Sequence, residues 1–436
     1  MTFSTFSKFL GLALGASLLG LNSGCSSVPA LDKLPSLSEY RAESQEDGPV
    51  IHDGRDVPVD FLPSVKLPPK DPHAFGIGVV LPTGESHQAL AQSLHQGLAL
   101  AVADVNAAGG VNGQPIQLDV IEASPNALGA LRDHGEAVIL VGDTSLAVSQ
   151  APQLAQYPQL IGFLCDYVSV PKQTPKNGVR IYLNGDQEAR VMESYLEASG
   201  VERVSVIHTN DLLGQSHQQY MLYLISGNHS VATAAEAYTP GEQDFALLAK
   251  AVAHSGNDAL ILAGNGFEYP KILAAFDAAG WQGIVLGYAG NSGLAPMTSV
   301  GGLAQIAAYP LPEFAVNPRA TETGRAFADK YKAQYGEEPG LPAAYAYDNI
   351  RSLAAAAAQA ASSDAQKIRE AFIALRNYTG AAGRYDIKDD GDTEMPLRLW
   401  RAGGQPAPDA HAATPAPSQD NSQKLPFPSF SPPNQR

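Results

Sequence analysis

The side chains of this chain that could do chemistry are scattered rather than clustered. None of the motifs G-x-x-x-x-G-K-[ST], H-E-x-x-H, G-x-S-x-G or C-x-x-C occurs, so phosphate-loop, zinc-protease, serine-hydrolase and dithiol chemistry have no foothold. The ten histidines include no i, i+4 pair flanked by carboxylates, and no metal site or cofactor is predicted. Gly76-Ile-Gly78 lacks the third glycine of a dinucleotide fingerprint and reads as strand packing. What remains are six short segments: 82–86, 142–145, 164–167, 210–214, 264–268 and 287–291. They carry hydroxyls, amides, carboxylates and some aromatic surface, which suits fixing a small polar molecule by several hydrogen bonds. No nucleophile, base and orienting group stand together, so the expectation is a binding protein and not an enzyme. Thr83, Thr144, Ser145, Asp166, Tyr167, Asn265 and Asn291 are the candidate ligand contacts on these segments. His208 either faces the ligand or is a hydrogen-bonded histidine at a strand end.

The elements that must position these segments alternate. Phe75–Leu81 is an apolar run fit for a strand buried on both faces, and Leu90, Leu94, Leu98, Ala101, Val102 and Val105 then recur at helical spacing up to Gly109-Gly110. Strands are predicted at Ile116–Ile121, Ala137–Val141, Val204–Ile207, Ala259–Ala263 and Gly283–Leu286, with helices at Gln187–Ser199, Gly214–Ser226, Asp244–His254 and Tyr269–Ala279. Beyond Pro318 helices are expected at Ala326–Tyr335, Ala343–Ala361 and Asp364–Leu375, then a strand at Gly383–Ile387. Two successive β-α-β-α blocks imply an α/β fold with two parallel sheets, each covered by helices on both faces. In such sheets ligands bind beyond the carboxyl ends of the strands, where the six segments fall.

The 436 residues carry a formal net charge of −16. A field of that sign repels phosphate backbones, so no nucleic-acid partner is expected. The two cysteines, Cys25 and Cys165, cannot form a disulfide framework. Residues 1–24 read as a signal peptide: Lys8, the apolar run Phe9–Leu21, then Asn22-Ser23-Gly24 before Cys25. The small residues before Cys25 resemble the lipobox of bacterial lipoproteins, which implies a lipid on the Cys25 sulfur; the other reading is a plain cleaved signal. Residues 25–73 are expected to be a lipidated disordered linker, and 404–436 a Pro-rich disordered tail that is either inert or a docking ligand.

Residues 74 to 402 resemble the type I periplasmic binding proteins, specifically the leucine/isoleucine/valine-binding-protein family that serves ABC importers. The resemblance is carried by I-G-V-V-L-P-T-G at 77–84 with A-V-A-D-V-N-A-A-G-G-V-N-G-Q-P-I-Q-L at 101–118, and by Tyr238–Phe245 with Asp258–Gly264. Phe327–Gly336 with Tyr345-Ala-Tyr-Asp348, and Tyr378–Ile387, continue it. It implies a domain at 74–403 with a hinge between lobe 1 (about 74–185 and 313–380) and lobe 2 (about 186–312 and 381–403). It also implies an amino-acid-like ligand whose ammonium meets Glu268, with solvated helix-start acid as the other reading of that residue. Leu146 stands where the family has a second serine, Leu213 in place of its cleft tyrosine and Asp166 in place of a carboxylate-binding threonine. Asp166 is either a loop or helix-cap residue or part of the cleft. With Asp166 and Glu268 both in the cleft, a cationic, polyamine-like or amide ligand is expected in preference to an ordinary zwitterion.

Two functions are compatible with this reading. One is a lipid-anchored receptor in the bacterial cell envelope, facing the periplasm or exterior, that hands a small amine-bearing or polar solute to an ABC permease. The other is an outer-membrane lipoprotein of the same fold that activates peptidoglycan synthesis by protein contact. Either way, Cys25→Ser is expected to abolish incorporation of labelled fatty acid into the protein, and labelling equal to wild type would refute the anchor.

Overall fold

Side chains of the first strand, β1 (Phe75–Leu81), are shared between two cores. Phe75, Ile77, Val79 and Leu81 enter one, and Val80 enters the other, the period-two alternation of a strand covered on both sides. Its two glycines are packing devices. A Cβ at Gly76 would lie 2.1 Å from Glu136 Oε2, and one at Gly78 would lie 2.7 Å from the Leu131 side chain. The computed structural model of the chain describes residues 66–166, 175–226, 231–289, 301–401 and 403–407.

Around β1 lie β2 (Ile116–Glu122), β3 (Val138–Val141), β4 (Leu160–Phe163) and β5 (Gly178–Arg180), in the order β2-β1-β3-β4-β5 and all parallel. Helix α1 (Gln88–Ala107) follows β1, α2 (Ala127–His134) follows β2, and the short α3 (Thr144–Ser149) and α4 (Ala151–Leu154) follow β3. The chain then crosses to a second sheet. Its helices are α5 (Gly185–Ala198), α6 (Leu212–Ser226), α7 (Ala246–Ala253), α8 (Tyr269–Ala278) and α9 (Leu303–Ile306). Its strands are β6 (Arg203–Thr209), β7 (Val231–Tyr238), β8 (Ala259–Ala263), β9 (Ile284–Gly287) and β10 (Ala308–Leu311). After β10 the chain returns to the first sheet as α10 (Glu322–Tyr335), α11 (Leu341–Ala360) and α12 (Ala365–Ala374). A small antiparallel sheet, β11 (Asn377–Thr379), β12 (Arg384–Ile387) and β13 (Thr393–Glu394), follows. Finally β14 (Arg398–Arg401) completes the second sheet, in the order β14-β10-β9-β8-β6-β7 with only β14 antiparallel. The molecule is thus α/β with two parallel-sheet lobes and three passages of the chain between them.

The sequence places most of these elements, β1 and β8 to the residue. Several of those it leaves out have weak local signals, although β4, L-I-G-F, is a plain apolar run. Strand β5 is three residues long, β7 is V-A-T-A-A-E-A-Y with alanine at half its positions, and β10 contains Pro310. Tertiary pairing makes them strands: Pro310 sits opposite Leu399 on the antiparallel β14 side.

Three local devices fix the lobes. Helix α11 lies along α1, and Gly97 is where they meet, since a Cβ there would fall 2.1 Å from the Ala343 carbonyl oxygen. Asp348, fully buried on α11, accepts from the amides of Ala381 (2.6 Å) and Ala382 (3.0 Å) and from the Tyr385 hydroxyl (2.8 Å), pinning the small sheet. At the passages, Arg180 forks onto Asp392 at 2.7 and 2.5 Å, and the Gln187 amide donates to the Met395 carbonyl at 2.5 Å. Among the described residues no helix is long and apolar enough to cross a membrane.

Gly97→Ala is expected to overpack the α1–α11 contact at a cost of about 1–3 kcal/mol. At about 2–4 °C per kcal/mol the unfolding temperature should fall by several degrees, and an unchanged value in a calorimetric scan would contradict the close approach.

Candidate functional site

At the carboxyl end of the first sheet, Asp143 caps α3 by accepting the Leu146 amide at 2.8 Å. Thr144, the first residue of that helix, donates its hydroxyl to the Asp166 carbonyl at 2.9 Å, so the β3–α3 loop and the segment after β4 are one unit. Of the sequence candidates on this lobe, Thr144 and Asp166 are therefore brought together, whereas Thr83 and Ser145 are exposed. Tyr167 lies outside the described residues, as do Asn291 and Cys25. Cys165, whose place beside Asp166 suggests a partly buried thiol near the cleft, is instead fully buried in the smaller core with Phe163 and Val141, and burial pushes its thiol well above the ordinary range.

On the second lobe Asn265 is half-buried. Glu268 is buried at the start of α8, and its carboxylate is engaged within its own lobe: Oε1 accepts the Gly241 amide at 2.8 Å, and Oε2 lies 3.5 Å from the Tyr238 hydroxyl. The neighbouring Phe267 ring meets His87 of the first lobe edge-on at 5.2 Å. His208 is the hydrogen-bonded strand-end histidine, its Nδ1 2.8 Å from the Thr209 carbonyl and its pKa lowered by burial.

The most unusual chemistry lies where the lobes meet. Asp166, from the first lobe, and His217, on α6 of the second, are both fully buried with Asp166 Oδ2 3.5 Å from His217 Nε2. Neither carboxylate oxygen of Asp166 and neither ring nitrogen of His217 has a hydrogen-bond partner. The imidazole stacks flat on the Tyr288 ring, with centroids 3.7 Å apart and planes 1° apart, while the Tyr288 hydroxyl donates to the His217 carbonyl at 3.0 Å. Helices α3 and α6 touch beside this pair. Glu188, on the first turn of α5, is fully buried; its Oε1 accepts the Ala289 amide at 2.8 Å, and its Oε2 has no partner.

Burial, and after it the charge of Asp166, pushes the Glu188 carboxyl well above the ordinary range, while the Ala289 amide and Arg180 act the other way. Asp186, two residues earlier on the same turn, is pushed up to about 6, again by burial first, although Arg180 and Arg190 draw it down. Tyr182, Tyr288 and Tyr345 have hydroxyls raised by burial, and each lies within electrostatic reach of both Asp166 and Glu188; Tyr269 also faces Glu188. The arrangement offers acceptors, aromatic walls and no activated nucleophile. It can bind and enclose.

Sequence reading missed Glu188, His217 and Tyr288. A signal existed for the first two. Glu188 shares the buried stripe of α5 with Val191, Met192 and Tyr195, and His217 shares that of α6 with Leu213, Met221 and Ile225. A titratable side chain in an apolar stripe is worth pursuing, because burial without a partner is costly. Among the described residues one group could hold a metal by proximity, Asp119, His134 and Glu136, whose donor atoms lie within 4.8 Å of one another. It sits at the opposite end of the sheet. There His134 Nδ1 is 2.5 Å from Glu136 and Nε2 2.9 Å from the Pro68 carbonyl, and Lys70 contacts the Gly135 carbonyl, so the group pins the entering strand of chain.

Comparison with known proteins agrees with this architecture. The family described as "Periplasmic binding protein" matches residues 75–406. An "Amino acid binding protein" of Pseudomonas aeruginosa is 26% identical over 307 residues, 67% of this chain and 81% of the relative. A type 1 periplasmic binding protein of Bordetella pertussis superposes with a TM-score of 0.67 at 19% identity, covering 75% of this chain and 96% of the other. A solute-binding protein of an ABC transporter from Rhodopseudomonas palustris, solved with 3,4-dihydroxybenzoic acid, gives 0.65 at 16% identity over 76% and 93%.

The raised acids set a pH dependence. A carboxyl whose folded pKa exceeds its unfolded value contributes stability that is complete below the unfolded value, 4.5 for Glu188 and 3.8 for Asp186, and is lost as pH rises towards the folded one. The ligand-free protein is therefore expected to melt lower at pH 8 than at pH 5, with Glu188→Gln raising the melting temperature at pH 8 by a few degrees; a thermal-shift series would check both. Glu268→Gln should lower the melting temperature slightly and change ligand affinity less than threefold. A tenfold affinity loss at unchanged melting would return Glu268 to the ammonium role.

Proposed function

The chain belongs to the periplasmic binding protein family, and on that premise we propose that it is an extracytoplasmic solute receptor that encloses a small polar ligand between its lobes and delivers it to an ABC permease. The observation that carries this reading is the buried meeting of Asp166 and His217, one from each lobe, with polar atoms that have no hydrogen-bond partner among the described residues. A solute arriving between open lobes would supply the missing partners, and closure would bury it with them. Thr144 and Asp166 serve on the first lobe. Glu188, His217 and Tyr288 serve on the second, with Glu268 fixing the loop at Gly241. The lipid on Cys25 and the linker to residue 73 would hold the receptor at the membrane while leaving the lobes free to reach a permease. The hinge is formed by the three passages, tied by Arg180, Gln187, Asp392 and Met395.

The ligand of a relative does not transfer at these identities. The Rhodopseudomonas neighbour was solved with an aromatic acid and the Pseudomonas relative is named for amino acids, whereas Asp166 sets this pocket apart. Small-angle scattering in the presence of a binding solute is expected to show compaction, and Asp166→Asn together with His217→Ala should reduce that solute's affinity at least tenfold. Binding without compaction would refute capture between the lobes. A protein that binds no solute but retains a partner in peptidoglycan synthesis would instead be the protein-contact activator.

A further inference from the structure

We infer that the solute is a small organic cation, an amine or guanidinium compound without a carboxylate, held by Asp166 and Glu188 among Tyr182, Tyr288 and Tyr345. This deepens the reading of the chain as a solute receptor and rests on it.

Three acceptor oxygens, both of Asp166 and Oε2 of Glu188, are buried without a donor. They come from the two lobes, and Asp166 lies within electrostatic reach of Glu188. The fixed cations nearby are already committed. Arg180 is forked onto Asp392 at 2.7 and 2.5 Å, and Arg190 donates to Glu394 at 2.7 Å. His217, 3.5 Å from Asp166, makes no hydrogen bond to it. An ammonium group brings three N–H donors and a guanidinium five, each charge-assisted towards a carboxylate. A ligand carboxylate would be stripped of water beside Asp166 and Glu188, and among the described residues the arginines near these acids are already committed. An ordinary amino acid therefore fits poorly. The second-lobe acid is then Glu188, one of whose oxygens is open, and not Glu268, whose oxygens are taken up by Gly241 and Tyr238.

Entry of a cation has a proton consequence. Glu188 lies within electrostatic reach of Asp166, Arg180 and the tyrosines 182, 269, 288 and 345, and burial favours its protonated form. A cation stabilises the carboxylate, and the proton passes to buffer. Affinity should then rise with pH.

The test is calorimetry with agmatine, putrescine, choline, leucine and benzoate at pH 6 and pH 8, in two buffers of different ionisation enthalpy. Agmatine or putrescine is expected to bind at least tenfold more tightly than leucine or benzoate, more tightly at pH 8, and with proton release to buffer. Choline, which lacks N–H donors, should bind more weakly than the amines. Asp166→Asn and Glu188→Gln should each weaken the amine at least tenfold while circular dichroism shows both variants folded. Leucine or benzoate binding more tightly than every cation, undiminished by the two substitutions, would overturn the cation and leave the solute receptor standing. Failure of every cation to bind also overturns it, and failure of every solute, with no compaction in scattering, takes the receptor reading down as well.

Discussion

A carboxylate buried without donors is among the least favourable groups a folded protein can contain, and Asp166 is one, with both oxygens unpartnered at full burial. The cost of removing an ion from water without compensation reaches several kcal/mol. Closed lobes impose that cost, because the partner across the interface, His217, approaches to 3.5 Å without bonding. Glu188 adds a second acid to the same enclosure. Whatever fills the enclosure must therefore offset this cost, and the difference in affinity between closed and open lobes is what a binding solute can supply. The rest of the molecule is organised to make that enclosure reproducible.

Reproducibility comes from rigid packing within each lobe and few links between them. Gly97 lets α11 lie directly on α1, and Asp348 nails the small antiparallel sheet to α11 through three donors. Interior packing of this density does not deform smoothly, so motion concentrates at the passages. There the links are polar and directional: the Arg180–Asp392 fork and the Gln187–Met395 bond. Thr144 holds the Asp166 segment to the head of α3, which carries the orphan carboxylate with lobe 1 as a body. Ala289 does the same for Glu188 within lobe 2.

The fold was legible in the sequence because parallel strands buried on both faces are continuous apolar runs, and the helices between them keep a 3.6-residue stripe. Strands such as β5, β7 and β10 were not, since short length, alanine and Pro310 give no local signal and long-range pairing decides. The candidate site was half legible. Asp166 stands on a loop after a strand and Thr144 at the head of the helix that follows one, where residue type alone suggests a role. Glu188 and His217 stand inside helices that look like ordinary core-facing elements, and only knowing that two helix faces point into one shared enclosure turns them into site residues. Glu268 shows the converse. Its place after a strand and before a helix made it conspicuous, but whether its carboxylate faces a ligand or the Gly241 amide depends on a loop 27 residues away in the chain.

The departures at three positions then acquire one physical meaning. Leu146 removes a hydroxyl that would donate to a carboxylate, Leu213 removes a phenol, and Asp166 replaces a neutral donor by an acceptor with a charge. Taken separately each weakens an amino-acid pocket. Taken with Glu188 they exchange donors for acceptors on both walls, so the preferred ligand changes sign while the hinge and sheets are kept. On the proposed reading, ligand recognition and control of the lobe equilibrium rest on the same two acids, Asp166 and Glu188.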